Sequence, residues 1–284
     1  MARAAFTDVS DTAAWIAAYR AIETARTDAL FRDPLAERLA GDRGRRFAVE
    51  VPGARAFEWM IAIRTCIIDD LVAAAVSAGA DAVLNLGAGM DTRPYRLALP
   101  AGLRWIEVDQ PAIVRIKDER LRDEMPSCRL ERVGLDLTDA PARRRLFARV
   151  NESARRVVVL TEGVVGYLTN EDVGQLARDL RARDRVAHWI VDYASPALRK
   201  AMRRRRDVRR QFESARFRFD PPDWERFFAD AGWAVASMRY TVEEGRQRGR
   251  PMPLPGWLRI LTRVWRSKAE EIRTMMAFAR LDAA

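Results

Sequence analysis

The stretch that most constrains this chain is Ala82-Val83-Leu84-Asn85-Leu86-Gly87-Ala88-Gly89-Met90-Asp91-Thr92-Arg93. An apolar run of strand length ends in a Gly-x-Gly turn, and Asp91 and Thr92 open a helix behind it. Strand, glycine turn and helix start form the first unit of a Rossmann-like sheet. Gly87 and Gly89 carry no Cβ, so a ligand can lie against the backbone there. Twenty positions after Gly89, the run 103–109 ends in Asp109, where a carboxylate can take both hydroxyls of a ribose. The alternative is a tight αβ turn with solvated acids. Thr92 stands where a dinucleotide site has its third glycine, and Asp91 puts a negative charge at a helix N-terminus, the usual anion site. Both features disfavour a pyrophosphate. A cofactor with ribose, adenine and no phosphate is expected, and S-adenosylmethionine (SAM) is such a cofactor.

The rhythm around this stretch predicts an α/β chain. Strands are expected at 82–86, 103–108, 129–134, 156–161 and 186–193, with helices at 92–98, 111–124, 140–150 and 169–183 between them. Such crossovers give a doubly wound, mainly parallel sheet covered on both faces. Residues 233–240 and 271–280 read as two last strands, and a helix follows Pro221-Pro222-Asp223-Trp224 to Ala231. Before the sheet, residues 10–24 read as an amphipathic helix with Trp15, Tyr19 and Ile22 on one stripe. A short helix follows with Pro34 at its first position, then a long one over 54–78. Residues 1–80 are thus expected to form a helical cap, 81–195 the cofactor-binding core, and 196–284 helical insertions with the last strands, all within a single domain.

Length and composition agree. The 284 residues, about half of them apolar, can form a sizeable core. The net charge of +10 is carried almost wholly by arginine, with Lys117, Lys200 and Lys268 as the lysines. It is a weak guide to partners, and nucleic acid is not expected. With one histidine, and with Cys66 and Cys128 far apart, no zinc ligand set is expected. The N-terminus lacks the apolar segment of a signal peptide, and no run approaches the roughly 18 residues of a membrane span. A cytoplasmic location is expected.

Ligands in such sheets bind at the carboxyl ends of the strands. Asp109, Asp136, Glu162 and Asp192 stand there. Asp136 can accept from an adenine amino group while Leu137 packs on the ring, or it can cap the following helix. Glu162, beside Gly163, can face the amino-acid part or the sulfonium of SAM, or it is a solvated turn acid.

These stretches resemble the leucine carboxyl methyltransferase-like family of SAM-dependent methyltransferases, which includes bacterial polyketide O-methyltransferases. The resemblance runs over about residues 13–240. It rests on Arg20-Ala21-Ile22-Glu23-Thr24 with Asp33-Pro34, Arg64 through Asp69-Asp70, Leu86 to Leu97, Glu107 to Pro111, Asp136-Leu137, and Glu162-Gly163 with Tyr167-Leu168. It implies a seven-stranded class I methyltransferase sheet that uses SAM and releases S-adenosylhomocysteine. It also implies that Gly87, with Ala88 and Gly89, contacts SAM, Asp109 with Gln110 the ribose, Asp136 and Leu137 the adenine, Glu162 and Gly163 the methionine end, and Arg64 the SAM carboxylate. Arg20 is a candidate for a second basic residue at that carboxylate.

The acceptor is expected to be an oxygen of a small molecule or of a group borne on a carrier or peptide, with a carboxylate favoured over a phenol. A phenol usually needs a base, and His188, the single histidine, sits mid-strand as a core residue. A carboxylate needs alignment and a cation. Arg93, Arg96 and the arginines of 199–210 are candidates for that cation. Under a phenolic, polyketide-type reading, Tyr167, Asp192 or Tyr193 is the polar group nearest the acceptor. A SAM-binding protein without turnover is the rival outside enzymes. The run Arg203 to Arg206 with Arg209 and Arg210 is either a solvated helix or a docking surface for an acidic partner. The stripe Trp257, Leu261, Val264 and Trp265 is core packing of the cap, a lid, or a surface or dimer helix.

Overall fold

Strands β1 (Ala82–Leu86), β2 (Arg104–Asp109), β3 (Arg129–Gly134), β4 (Val157–Thr161), β5 (Val186–Ala194), β6 (Trp233–Tyr240) and β7 (Met276–Ala283) form one seven-stranded sheet in the order β3-β2-β1-β4-β5-β7-β6. This is seen in a computed structural model that describes residues 9–50, 54–204, 217–256, 258 and 265–284. β1 to β5 pair in parallel. The Ser195 N–H donates to Met275 O, so β7 begins where β5 ends, and the Ala284 N–H donates to Gly232 O, so β7 ends where β6 begins. β7 is therefore antiparallel to both neighbours and the sheet is mixed, the expected class I methyltransferase arrangement.

The helices are α1 (Val9–Thr24), α2 (Ala36–Glu50), α3 (Ala54–Ser77), α4 (Arg93–Arg96), α5 (Pro111–Arg120), α6 (Ala140–Ser153), α7 (Asn170–Arg181) and α8 (Pro196–Arg204). Shorter ones follow at Trp224–Ala229, Thr241–Gln247 and Arg266–Arg273. No helix among the described residues is long and apolar enough to cross a membrane.

The chain divides into two compact units. One comprises Asp69–Asp192, Phe217–Ser237 and Ala279–Ala284. Every residue of β1 and β4 is buried in it, as parallel strands covered on both faces require. Trp189 meets Phe228 and Trp233 edge-on at 5.2 and 5.6 Å, and each indole N–H finds an acceptor, Thr161 Oγ1 for Trp189 and Ala177 O for Trp233.

The other unit comprises Met1–Ile68, Tyr193–Arg216 and Met238–Phe278. α1 and α2 lie close together because Gly44 has no side chain: a Cβ there would stand 2.4 Å from Ala14 O. Trp15 is edge-on to Tyr19 and Phe57, whereas Ile22 is exposed, so the expected stripe ends at Tyr19. Arg20 Nε donates to Asp33 Oδ2 at 2.8 Å in a buried pair. The buried Glu23 accepts from the Leu30 N–H and pairs with Arg250, whose carbonyl accepts from Trp59 Nε1.

Several boundaries differ from expectation. The segment 271–280 begins as helix: Lys268 pairs with Glu271 and Arg273 with Glu270 at i,i+3 spacing, and the strand starts at Met276. The helix expected at 92–98 is the single turn α4. α2 starts at Ala36, beyond Pro34, and kinks at Gly41, whose φ is +57°. Arg205, Arg206, Arg209 and Arg210 lie outside the described residues, as do Trp257, Leu261 and Val264; of that stripe, Trp265 is described and exposed.

Candidate functional site

The strand registers fix the carboxyl edge. Leu86 stands opposite Val108 and Thr161, Asp109 opposite Gly134, and Thr161 opposite Val191. Residues 135–137, Asp109, Gly87, Glu162 and Asp192 therefore follow one another along that edge. The strand order reverses between β1 and β4, where such sheets bind ligands.

The glycine turn is bound to β2. Gly87 and Gly89 have φ of +69° and +48°, a region where side chains are strained. The Gly87 and Ala88 N–H groups both donate to Val108 O, at 2.7 and 3.1 Å. A Cβ on Gly87 would also lie 2.3 Å from Val164 Cγ2. The Gly89 N–H donates to Asp109 Oδ2 at 2.6 Å and the Gln110 N–H to Oδ1 at 2.7 Å. Burial pushes the Asp109 carboxyl above its ordinary value, against the pull of those two donors. A carboxylate offers about four lone-pair sites, so two further donors can be taken. Ala88 is buried, and the exposed Gln110 precedes α5 without a side-chain cap.

Asp136 is exposed, and its Oδ1 accepts from the N–H and hydroxyl of Thr138 at 2.9 and 2.8 Å. It does not cap α6; Asp139 does, accepting from the Ala142 N–H. Leu137 is half-buried. Beyond β4, Gly163 takes a φ of +67° and its N–H donates to Asp192 Oδ1 at 3.0 Å. Tyr167 lies in the single 3₁₀ turn Val165–Tyr167 against Phe217, with ring centroids 5.1 Å apart. Tyr193 follows Asp192 on β5 and is half-buried.

A buried ionic network underlies the turn. Arg93, 2 % exposed, donates from Nε to Asp69 Oδ1 at 2.7 Å, and from Nη1 to Asp91 Oδ2 at 2.9 Å and Glu162 Oε2 at 2.7 Å. Arg96 grips both oxygens of Asp69, at 2.6 and 2.8 Å. Asp91 also accepts from Asn85 Nδ2 and from the Arg93 N–H. Burial alone would raise the Asp91 carboxyl, but the charges of Arg93, Lys117 and Arg96 and the Arg93 N–H together outweigh it and hold the acid well below the usual carboxylate range. Both arginines near the turn are thus engaged with carboxylates of the chain, contrary to the expectation that they hold an acceptor. Asp69 and Asn85 stand in stretches the sequence marks, but no role in this network was expected of either. Asp69 lies 24 positions before Arg93, with no spacing rule to connect them.

The remaining candidates separate. Arg20 is the partner of Asp33. Arg64 lies on α3 and is half-buried. Arg199 is buried and donates to Ala194 O at 2.7 Å. His188 is 7 % exposed, as a core histidine should be. It stands opposite Val158 at the amino end of β4, between Arg156 Nη2 at 2.8 Å and Asp282 Oδ1 at 2.7 Å. Arginine can only donate, so the ring accepts at Nε2 and carries its proton at Nδ1, toward Asp282.

The carboxyl edge suits SAM chemically. A half-buried carboxylate with lone pairs to spare suits a ribose diol, an exposed acid suits an adenine amino group, and a further acid suits an ammonium. Acids in these places would repel phosphate. Comparison with known proteins agrees. The sequence pattern of the family described as "Leucine carboxyl methyltransferase" matches residues 13–181. A Mycobacteroides abscessus protein named "Putative S-adenosyl-L-methionine-dependent methyltransferase" is 33 % identical over 282 residues, covering 86 % of this chain and 90 % of that protein. A Frankia alni protein of the same description is 40 % identical over 178 residues, 58 % of this chain and 61 % of its own length. Among solved structures, a DUF574 family protein from Streptomyces avermitilis superposes with a TM-score of 0.57, covering 95 % of this chain and 97 % of its own. At 17 % identity that likeness concerns the fold alone. Match, fold and acidic edge coincide: the chain belongs to the leucine carboxyl methyltransferase family and is a SAM-dependent methyltransferase.

Proposed function

We propose that the chain methylates an oxygen, and that this oxygen belongs to a carboxylate carried by a small molecule or by a carrier- or peptide-borne group. The observation that carries this reading is the place of His188. The single imidazole of the chain is held by Asp282 and Arg156 at the amino end of the sheet, away from the acids of the carboxyl edge. The family's name points the same way.

In this reading Gly87, Ala88 and Gly89 offer backbone to the cofactor, and Asp109 with Gln110 holds the ribose. Asp136 and Leu137 hold the adenine, Glu162 and Gly163 the methionine end, and Arg64 the SAM carboxylate. Bound SAM supplies an activated methyl group. The protein's task is to align the acceptor and exclude water. A carboxylate with pKa near ~4 is already ionised at neutral pH and has no proton to lose. A phenol must lose one, and Asp192, beside Gly163, or Tyr167 or Tyr193 would then be the nearest polar group. That second reading gives a methyl ether, as in polyketide metabolism.

The test is turnover of methyl-labelled SAM against a panel of acids and phenols, followed by mild alkali. A methyl ester product releases its label there as volatile methanol, and the enzymic transfer that formed it is expected to have a rate that is flat between about pH 6 and 8. Label that survives alkali establishes the ether. SAM binding without turnover on any acceptor would favour a binding protein.

A further inference from the structure

We infer that Arg93 is a positioning residue for the cofactor: it fixes the carboxylate of Glu162 at the methionine end of the site. The inference rests on the reading of Glu162 given above.

Arg93 is the first residue of α4, four positions beyond Gly89. Its guanidinium is held on two sides before it reaches Glu162. Nε is fixed by Asp69, which Arg96 itself grips through both oxygens, and Nη1 is fixed by Asp91, which the Arg93 N–H and Asn85 hold in turn. The same Nη1 then donates to Glu162 Oε2 at 2.7 Å. A planar fork locked in this way can present an N–H in one direction only. Glu162 is the side chain so oriented. It leaves the sheet on a loop bent at Gly163, and a glutamate side chain has considerable rotamer freedom to lose. The contact uses one lone pair of Oε2, of the roughly four that an ionised carboxylate has.

The consequence is a link between the two halves of the site. The segment 87–93 supplies the glycine turn at the ribose acid, Asp109, and through Arg93 it also sets the acid at the other end. Lysine cannot reproduce this: an ammonium has no fixed fork to span Asp69, Asp91 and Glu162. Asp69→Asn removes one anchor and leaves the guanidinium in place.

The experiment is calorimetric binding of SAM, S-adenosylhomocysteine and methylthioadenosine to the full chain and to Arg93→Lys, Asp69→Asn and Glu162→Gln. Methylthioadenosine keeps the adenosine and the thioether but lacks the amino-acid part. Arg93→Lys is expected to weaken SAM and S-adenosylhomocysteine by about tenfold or more, as loss of a charge-assisted bond would. Methylthioadenosine should bind within about twofold of wild type, and Asp69→Asn should show the same selectivity to a smaller degree. If Arg93→Lys does not fold, Asp69→Asn decides. Unchanged SAM affinity in a variant that loosens Arg93 overturns the inference, as does an equal loss for methylthioadenosine, which would mark a purely structural role. Glu162→Gln separates the two levels. If it leaves SAM affinity unchanged, the assignment of Glu162 fails and takes the inference with it. If it weakens SAM while the Arg93 and Asp69 variants do not, only the inference fails.

Discussion

Replacing Asp109 by Asn changes one charge and little volume, and the structure says what that should do. In the wild type the Asp109 carboxylate accepts from the Gly89 and Gln110 N–H groups and has lone pairs left for the ribose. Asn presents a single acceptor oxygen and an NH₂ group, so one backbone donor loses its acceptor and one ribose hydroxyl meets a donor. A hydrogen bond to a charged group is worth about 1.5–3 kcal/mol, so SAM affinity should fall roughly 10- to 150-fold at 1.4 kcal/mol per decade. Any gain to the free protein is in folding stability and is read separately from affinity. Burial raises the pKa of Asp109, so the ionised acid is itself a small stability cost above its folded pKa, a cost relieved as pH falls through that value. Titration calorimetry with SAM and a thermal melt of each protein are sufficient. A variant that melts like the wild type and binds SAM within about twofold would falsify the ribose assignment. A variant that loses affinity for SAM and adenosine alike, with its fold intact, agrees with it.

Two further outcomes test the frame around the site. Asp33→Ala leaves the Arg20 guanidinium buried without its carboxylate and should destabilise the chain by roughly 3 kcal/mol, read from denaturant unfolding. A loss below about 1 kcal/mol would show that the pair is not what holds α1 to the following loop. His188→Phe removes the donor to Asp282 and should cost about 1–3 kcal/mol of stability, while leaving the pH–rate profile of the folded fraction unchanged. A new pH dependence in that variant would bring the imidazole back into the chemistry.

The glycine turn and the acid at the end of β2 were legible because their signals are local. A Gly-x-Gly turn after an apolar run, and an acid twenty positions on, are consequences of one βαβ unit, and the structure joins them by a single 2.6 Å bond from the Gly89 N–H to Asp109. β1 and β4 were read within a residue because buried parallel strands are nearly continuous apolar runs, with Asn85 the polar exception inside β1. The last strand was misplaced because 266–273 is polar, exposed and held by i,i+3 ion pairs. No hydrophobic period marks such a segment, and the strand pattern starts only at Met276. The cap of α6 went to Asp139 rather than Asp136 for a similarly fine reason: both acids precede the helix, and only the backbone geometry decides between them.

The arginines show what a one-dimensional reading misses most. Beside a glycine turn, Arg93 and Arg96 look like free cations waiting for an anionic acceptor. A guanidinium that is nearly sealed from solvent must be paired within the protein, because an unpaired buried charge costs several kcal/mol. Its partners came from α3, from its own turn and from the loop after β4, which no local pattern connects. The same logic bears on the substrate. The net charge of +10 includes arginines that neutralise buried acids, so it cannot be carried over to a surface that attracts an acidic partner. If the acceptor is a carboxylate, the cation that holds it is to be sought outside this network, and a guanidinium already committed to three carboxylates is the wrong place to look for it.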